Sequence, residues 1–252
     1  MADSKDNKDF FTNFGFKKVP FKEKAKLVKD VFDGVANNYD LMNDAMSLGI
    51  HRLWKKEFVK IIMQSNPKTL LDVGGGTADI SLEFIEHGGK KAYVVDINEN
   101  MLLKGKDKSL NKGYVSSLDF ICANAEELPF KDSSMDAYAT AFCIRNVSDI
   151  PKALAEAYRV LKPNTKFFCL EFSHVENQHI AKAYDLWSFK AIPQIGRHIA
   201  KNEDAYQYLV ESIRNFPSQE EFANMIRNAG FKSVGYKNLS FGIACIHYAE
   251  KI

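Results

Sequence analysis

Two hydrophobic periods divide this chain. Short, nearly continuous apolar runs, "KTLLDV", "KAYVVDI", "SLDFICA", "MDAYATAFC" and "TKFFCLEF", predict strands, the first of them a buried strand that runs into a glycine turn. Between them lie segments of near-helical spacing: "TADISLEFIEH", where Ile80, Leu82, Phe84 and Ile85 share a face, a stretch from Glu99, and "IPKALAEAYRVL". Strand and helix in alternation predict an α/β fold with a doubly wound, mostly parallel sheet. Ahead of the first strand, "PFKEKAKLVKDVFDGVANNYDLMNDAMSLGIHRLWKKEFVKIIM" predicts two or three amphipathic helices, a cap over the crevice of the sheet. From His174 to Asn215 the strand signal vanishes, which predicts a helical insertion. The chain closes with the helix "SQEEFANMIRNAG" and two β-like runs, "FKSVGYKNLS" and "IACIHYAE", expected as an antiparallel hairpin at the sheet edge and bringing the strands to seven. The expectation is one domain over 1–252: an N-terminal helical cap (1–66), a cofactor-binding core (67–173), the insertion (174–215) and the C-terminal helix and strands (216–252).

Composition narrows the class. The chain has 252 residues, 46% hydrophobic and 26% charged, enough for one large domain with a sizeable core. A net charge of +2 gives no electrostatic argument for nucleic acid. No run of about 20 apolar residues exists to span a membrane. The start, "MADSKDNKDFF", resembles neither a signal peptide nor a transit peptide, so the protein is expected in the cytoplasm. Cys122, Cys143, Cys169 and Cys245 are far apart, as reduced thiols of a reducing compartment would be, and no cysteine or histidine spacing calls for a metal.

The candidate chemistry begins at "LLDVGGGTADI". A strand, a glycine turn and a helix start make a ligand site in an open α/β sheet, because backbone approaches closely where Cβ is missing. A dinucleotide, a nucleoside triphosphate and an adenosyl cofactor are the candidates. A triphosphate loop needs Gly-Lys-Ser/Thr, which does not follow. The dinucleotide spacing fits Gly74 and Gly76 but places Asp79 at the third glycine, a carboxylate beside the pyrophosphate. Asp72 at the strand end instead suits a cofactor carrying positive charge, and S-adenosylmethionine (SAM) brings an ammonium and a sulfonium. Asp72-x-Gly74-x-Gly76-x-Ala78 is similar to the first motif of SAM-dependent methyltransferases, with alanine at the usual third glycine; one added methyl group is tolerable if Ala78 is already helical.

Asp96 ends the second strand, twenty positions after Gly76, where an acid accepts both ribose hydroxyls. Asn124 and Ala125 follow the third strand, placed to read the adenine edge through a side chain and a backbone N–H.

At larger scale, "FGFKKVPFKEKAKLVKDVFDGVANNYDLMNDAMSLGIHRLWK" and "RNVSDIPKALAEAYRVLKPNTKFFCLEFS" resemble the two signature regions of the UbiE family, C-methyltransferases of ubiquinone and menaquinone biosynthesis. The resemblance continues through "AKAYDLWSFKAIPQIG" and "YLVESIRNFPSQEEF" and covers nearly the whole chain. It implies a Rossmann-like methyltransferase fold and SAM-dependent methylation of a ring carbon on a reduced polyprenyl quinol, a benzoquinol or a demethylmenaquinol. It also implies cofactor contacts from Thr77, Asp96, Asn124 and Ala125. This chain departs from the family's pattern at Ala78 and at Ala141, where the family commonly has a serine, so Ala141 is expected to contribute its backbone alone.

A quinol carbon attacks a sulfonium methyl readily only as a neighbouring phenol loses its proton, so the site needs a base or a stabiliser of phenolate charge. Arg145 and Asn146, after the fourth strand, are candidates for oxyanion stabilisation and orientation; Tyr39 and His51 in the cap are the other proton handlers. Trp187, Phe189, Ile192 and Ile195 in the insertion would serve a greasy tail. The flanking Lys182, Lys190, Arg197, His198 and Lys201 would suit a peripheral contact with anionic lipid at the inner face of the membrane. Methylation of another small molecule, and a non-catalytic SAM-binding subunit of a quinone-synthesis assembly, are the competing functions. The sequence leaves open a monomer, a homodimer or membership of such an assembly.

Overall fold

The structure is a computed structural model and describes residues 11–35, 43, 44, 47, 49–175, 181, 182, 184, 186–191, 194, 197 and 203–252. Its centre is a seven-stranded sheet made of β3 (Thr69–Val73), β4 (Lys91–Asp96), β5 (Leu118–Cys122), β6 (Met135–Ala141), β7 (Leu161–Phe172), β8 (Lys232–Leu239) and β9 (Ala244–Lys251). The spatial order is β5-β4-β3-β6-β7-β9-β8. The first five are parallel; β9 pairs antiparallel with β7, and β8 with β9, the hairpin expected at the edge. The order reverses between β3 and β6, and the crevice at that switch lies at the carboxyl edge of the sheet.

The apolar runs become strands because both faces are covered. Leu70, Ala137, Ala139, Phe168 and Leu170 enter one core with Phe58 and Val59 of α2 (His51–Met63), Phe84 of α3 (Asp79–Glu86) and Leu209 of a later helix. Leu71, Val73, Tyr138, Phe167 and Cys169 enter the other with Leu154, Phe222 and Ile226. Successive side chains go to opposite cores, the two-residue period of a strand. Helix α4 (Glu99–Asn111) starts at Asn98, whose side chain accepts from the Met101 N–H at 3.1 Å. In the same way Asp149 accepts from the Lys152 N–H at 3.0 Å to start α5 (Ile150–Val160). Helices α6 (Glu203–Arg214) and α7 (Gln219–Asn228) complete the layers.

The N-terminal region differs from an all-helical cap. A two-stranded hairpin, β1 (Phe11–Phe14) and β2 (Lys17–Pro20), precedes α1 (Phe21–Val35). Its turn at Gly15 has φ +57°, and it is anchored by partners that no local pattern announces: Glu211 accepts from the Phe16 N–H at 2.9 Å and the Ser148 carbonyl from the Thr12 hydroxyl at 3.3 Å.

In the insertion, Trp187–Ala191 form a π-helical turn. Trp187 packs half-buried against the core, and Phe189 is partly exposed beneath the Arg214 guanidinium. Ile192, Ile195, His198 and Lys201 lie outside the described residues.

Candidate active site

The glycine turn joins β3 to α3. Gly74 and Gly76 have φ of +69° and +51°, and a Cβ on Gly74 would collide with the Cys143 sulfur. Ala78 has φ +64° and ψ 26°, a left-handed residue just before the helix. The expectation that it is already helical is therefore corrected. Its methyl group is fully buried in a conformation that glycine adopts freely.

Around this turn a cleft is lined by Gly74, Gly76, Asp96, Asn124, Ala125 and Asn146, with Val28 and Phe32 of α1 and Phe142 on its walls. A second, smaller pocket that shares Gly74 and Phe142 with the cleft is lined by Asp72, Thr77 and Ala141. The expected cofactor residues thus line two adjoining pockets on either side of the glycine turn.

Two buried carboxylates flank the glycine turn, Asp96 in the cleft and Asp72 in the smaller pocket. Asp72 is fully buried; its Oδ2 accepts from the Ser81 hydroxyl at 2.7 Å, while Oδ1 has no partner. Burial raises its pKa to about 6. Asp96 accepts from the backbone N–H of Gly76 at 3.0 Å and of Asn98 at 2.9 Å. Burial outweighs those bonds and raises it as well, to about 6. Each Asp96 oxygen keeps a lone pair for a hydroxyl of a ligand in the cleft. Two raised carboxylates, one with an orphaned oxygen, fit a ligand bearing positive charge and a ribose, and both would resist a phosphate.

Asp79, by contrast, does not carry the repulsion the sequence suggested. Burial would raise its carboxyl, but Lys55 at 2.7 Å and Lys108 at 2.6 Å pull it well below the usual range, so its charge is balanced. Neither lysine is marked by local sequence, because one comes from α2 and the other from α4.

The Asn124 side-chain oxygen accepts from the Glu126 N–H at 3.0 Å and its carbonyl from the Glu127 N–H at 3.0 Å, which fixes the loop where Asn124 and Ala125 line the cleft. The segment after β6 is similarly constrained. Phe142 has φ +56°, and its carbonyl accepts from Arg145 Nη1 at 2.7 Å. Arg145 is buried and pairs with buried Glu171 of β7 at 2.6 Å. Arg145, expected as an oxyanion stabiliser on the substrate side of the crevice, instead has a countercharge and lies outside the cleft lining. Asn146 lines the cleft, and its side-chain oxygen accepts from the Tyr208 hydroxyl of α6 at 2.9 Å.

His51 is buried, with Nδ1 at 2.9 Å from the Ser47 hydroxyl. Burial, then Lys55, lowers its pKa to about 4, so it is neutral at pH 7 and a poor base. It does not line the described cleft. Tyr39 lies outside the described residues. Tyr208 and Phe142 escaped sequence reading: Tyr208 is 62 positions from its partner Asn146, and a positive φ at a phenylalanine has no composition signal.

Comparison with known proteins decides the family. The model of the ubiE/COQ5 methyltransferase family matches residues 11–251. The chain belongs to that family. The ubiquinone/menaquinone biosynthesis C-methyltransferase UbiE of Brucella abortus (strain S19) is 53% identical over 244 residues, 95% of this chain and 91% of the relative. The enzyme of that name from Brucella anthropi is 52% identical, with 95% and 93% covered. Among solved structures, a SAM-dependent methyltransferase of Thermotoga maritima superposes with TM-score 0.62 at 20% identity, covering 89% of this chain and all of that one. The [4+2]-cyclase SpnF superposes with TM-score 0.66 at 15% identity, covering 90% and 96%. These two likenesses show the Rossmann-like fold of this ubiE/COQ5 family member, and the cyclase illustrates that the fold alone does not set the reaction.

Proposed function

We propose that this chain is the SAM-dependent C-methyltransferase of a reduced polyprenyl quinol, acting in ubiquinone or menaquinone formation. The observation that carries the reading is the glycine turn itself: the unpartnered Asp72 oxygen and the Asp96 carboxylate flank it, in a chain 53% identical to curated UbiE enzymes.

SAM supplies an electrophilic methyl group on a sulfonium. Asp72 answers its ammonium, and Asp96 accepts the ribose hydroxyls. The backbone of Gly74 and Gly76 admits the cofactor where a Cβ would intrude, with Thr77 and Ala141 lining the smaller pocket and Asn124 and Ala125 the adenine end. Phe142 and Val28 give the cleft apolar walls, which strengthen the charge interactions inside. Asn146 lines the cleft: with its oxygen held by Tyr208 and one amide hydrogen directed to the Phe142 carbonyl at 3.5 Å, its NH₂ keeps a second hydrogen to donate to a phenol oxygen as charge develops there. Arg145 acts as a positioning residue, tying Phe142 to Glu171. Tyr39 remains a proposed proton handler near the phenol, while His51, with its pKa lowered to about 4 by burial, is a poor base. The insertion receives the tail. The substrate is amphiphilic, so the enzyme works as a peripheral protein; among the described residues no helix is long and apolar enough to cross a membrane.

Incubation of purified protein with methyl-labelled SAM and a short-chain demethyl quinol tests the reading. Label on a ring carbon is expected. SAM binding without transfer would show a non-catalytic subunit, and transfer only to other acceptors would show a different methyltransferase.

A further inference from the structure

The turn between β8 and β9 is built against its own backbone preferences. Ser240, Phe241 and Gly242 have φ of +47°, +61° and +90°, and Phe241 is 73% exposed. A left-handed conformation is costly for any residue with a Cβ, and an aromatic ring held out in water adds no burial to offset it. The turn is fixed from behind: Trp54 Nε1 of α2 donates to the Ser240 hydroxyl at 2.9 Å, and a Cβ on Gly242 would press on the His174 carbonyl. The protruding ring is therefore held in place by the fold.

It does not protrude alone. Leu53 is 65% exposed and Ile50 37%, and both line an open groove with Trp54, Leu239 and Ser240. Leu53, Lys56 and Lys60 recur at i, i+3 and i+7 on the outer face of α2. The nearby Arg52 and Lys237 are paired with Asp44 and Glu57, and Glu83 with His87. Lys56 and Lys60 have no carboxylate within ion-pair distance among the described residues. The outcome is an apolar knob beside two exposed lysines that form no ion pair, Lys60 sharing the field of Glu57 with Lys237.

Its place matters. Ala244 of β9 pairs with Phe172 of β7, so the turn before β9 stands at the carboxyl edge of the parallel strands, the edge that carries the glycine turn and the cleft. Trp54 also packs on Phe172 and lies 6.4 Å from the Phe142 ring, linking the knob to the cleft wall.

We propose that Phe241, Leu53 and Ile50, with Lys56 and Lys60, form the surface by which the protein docks on an anionic lipid bilayer. This deepens the quinol reading, on which it rests for its purpose: a substrate dissolved in lipid must reach the carboxyl edge, and the knob turns that edge toward the bilayer. The surface differs from the insertion cations that sequence alone suggested. Phe241 and Leu53 supply the apolar contact, and the lysines select anionic headgroups.

The test is vesicle flotation of the full chain with phosphatidylcholine vesicles, with and without phosphatidylglycerol. Wild type is expected to prefer the anionic vesicles. Phe241→Asn with Leu53→Gln should weaken binding at least about tenfold, on the scale of two lost apolar contacts. Asparagine tolerates the left-handed backbone, so the fold is kept, and an unchanged melting temperature checks it. Lys56→Glu with Lys60→Glu should abolish the anionic preference. Methylation of a short-chain quinol in solution should stay within about twofold in both variants, while methylation of a long-chain quinol in vesicles falls in parallel with binding. Unchanged flotation of either double variant overturns the proposal. So does a drop in oligomer size on substitution, which would show that a second copy of the chain covers the patch. Vesicle binding is read without turnover, so loss of the quinol reading and loss of the docking surface give different results.

Discussion

Arg145 and Glu171 face each other at 2.6 Å with both side chains buried, the guanidinium from the segment after β6 and the carboxylate from β7. Burial raises the Glu171 carboxyl while Arg145 pulls it down, so the pair is held by mutual need. Breaking it leaves an uncompensated buried charge. Glu171→Ala is expected to destabilise the fold by about 3–5 kcal/mol. Arg145→Ala should cost a similar amount and lower turnover by displacing Phe142 and Asn146. Urea unfolding checks the first statement. If Arg145→Ala with Glu171→Ala unfolds no earlier than either single variant yet regains no activity, the arginine's effect on the reaction is more than structural.

Tyr208 and Asn146 give a prediction confined to the reaction. Tyr208→Phe removes the hydroxyl that holds the Asn146 oxygen and leaves the stacking on Phe14, whose ring centroid is 4.2 Å away. Turnover should fall about tenfold or more, because the amide is free to flip, while SAM affinity stays unchanged. Steady-state kinetics with calorimetry separates the two. A parallel loss of SAM binding would place Tyr208 in the cofactor site instead.

Asp96→Ala should weaken SAM binding by roughly 1.5–3 kcal/mol, the scale of lost hydrogen bonds to a charged group. Calorimetry on the purified variant reads it, and unchanged affinity would remove Asp96 from the cofactor site.

The two raised carboxylates make stability and binding depend on pH in opposite directions. Asp72 and Asp96 have folded pKa values of about 6, above the ordinary 3.8, so between those values the cofactor-free protein holds more protons than the unfolded chain. Its stability contribution from these groups therefore falls as pH rises from about 4 to about 6. In the proposed roles SAM needs both as carboxylates, so its affinity should rise over the same window and proton release should accompany binding near pH 6. Calorimetry in buffers of different ionisation enthalpy measures that release; its absence would mean that the two groups are already ionised.

Ala78 offers a backbone test. Ala78→Val puts a β-branched side chain at φ +64° and should cost roughly 1–3 kcal/mol. Ala78→Gly relieves the strain but loses a buried methyl, two effects each of about 1 kcal/mol, and should leave stability nearly unchanged. Thermal melts of both variants provide the comparison.

The sequence by itself determined the strands, their mostly parallel direction and the glycine turn, because these depend on local period and on glycine. An unbroken apolar run such as "TLLDV" can be satisfied only between two layers, and Asp72, Gly74, Gly76 and Asp96 lie at strand ends whatever the details of packing. Asn124 and Ala125 follow from the same logic. What only the tertiary structure decided was which charges are free. Arg145 looked available until a residue 26 positions on supplied its carboxylate, and Asp79 looked repulsive until lysines from two other helices neutralised it. The hairpin β1–β2 depends on Glu211 and Ser148, and the Phe241 knob on Trp54, partners brought close by folding and invisible to any local window. Periodicity reports burial along one element, whereas a charge or a strained turn is set by whatever the other elements place beside it.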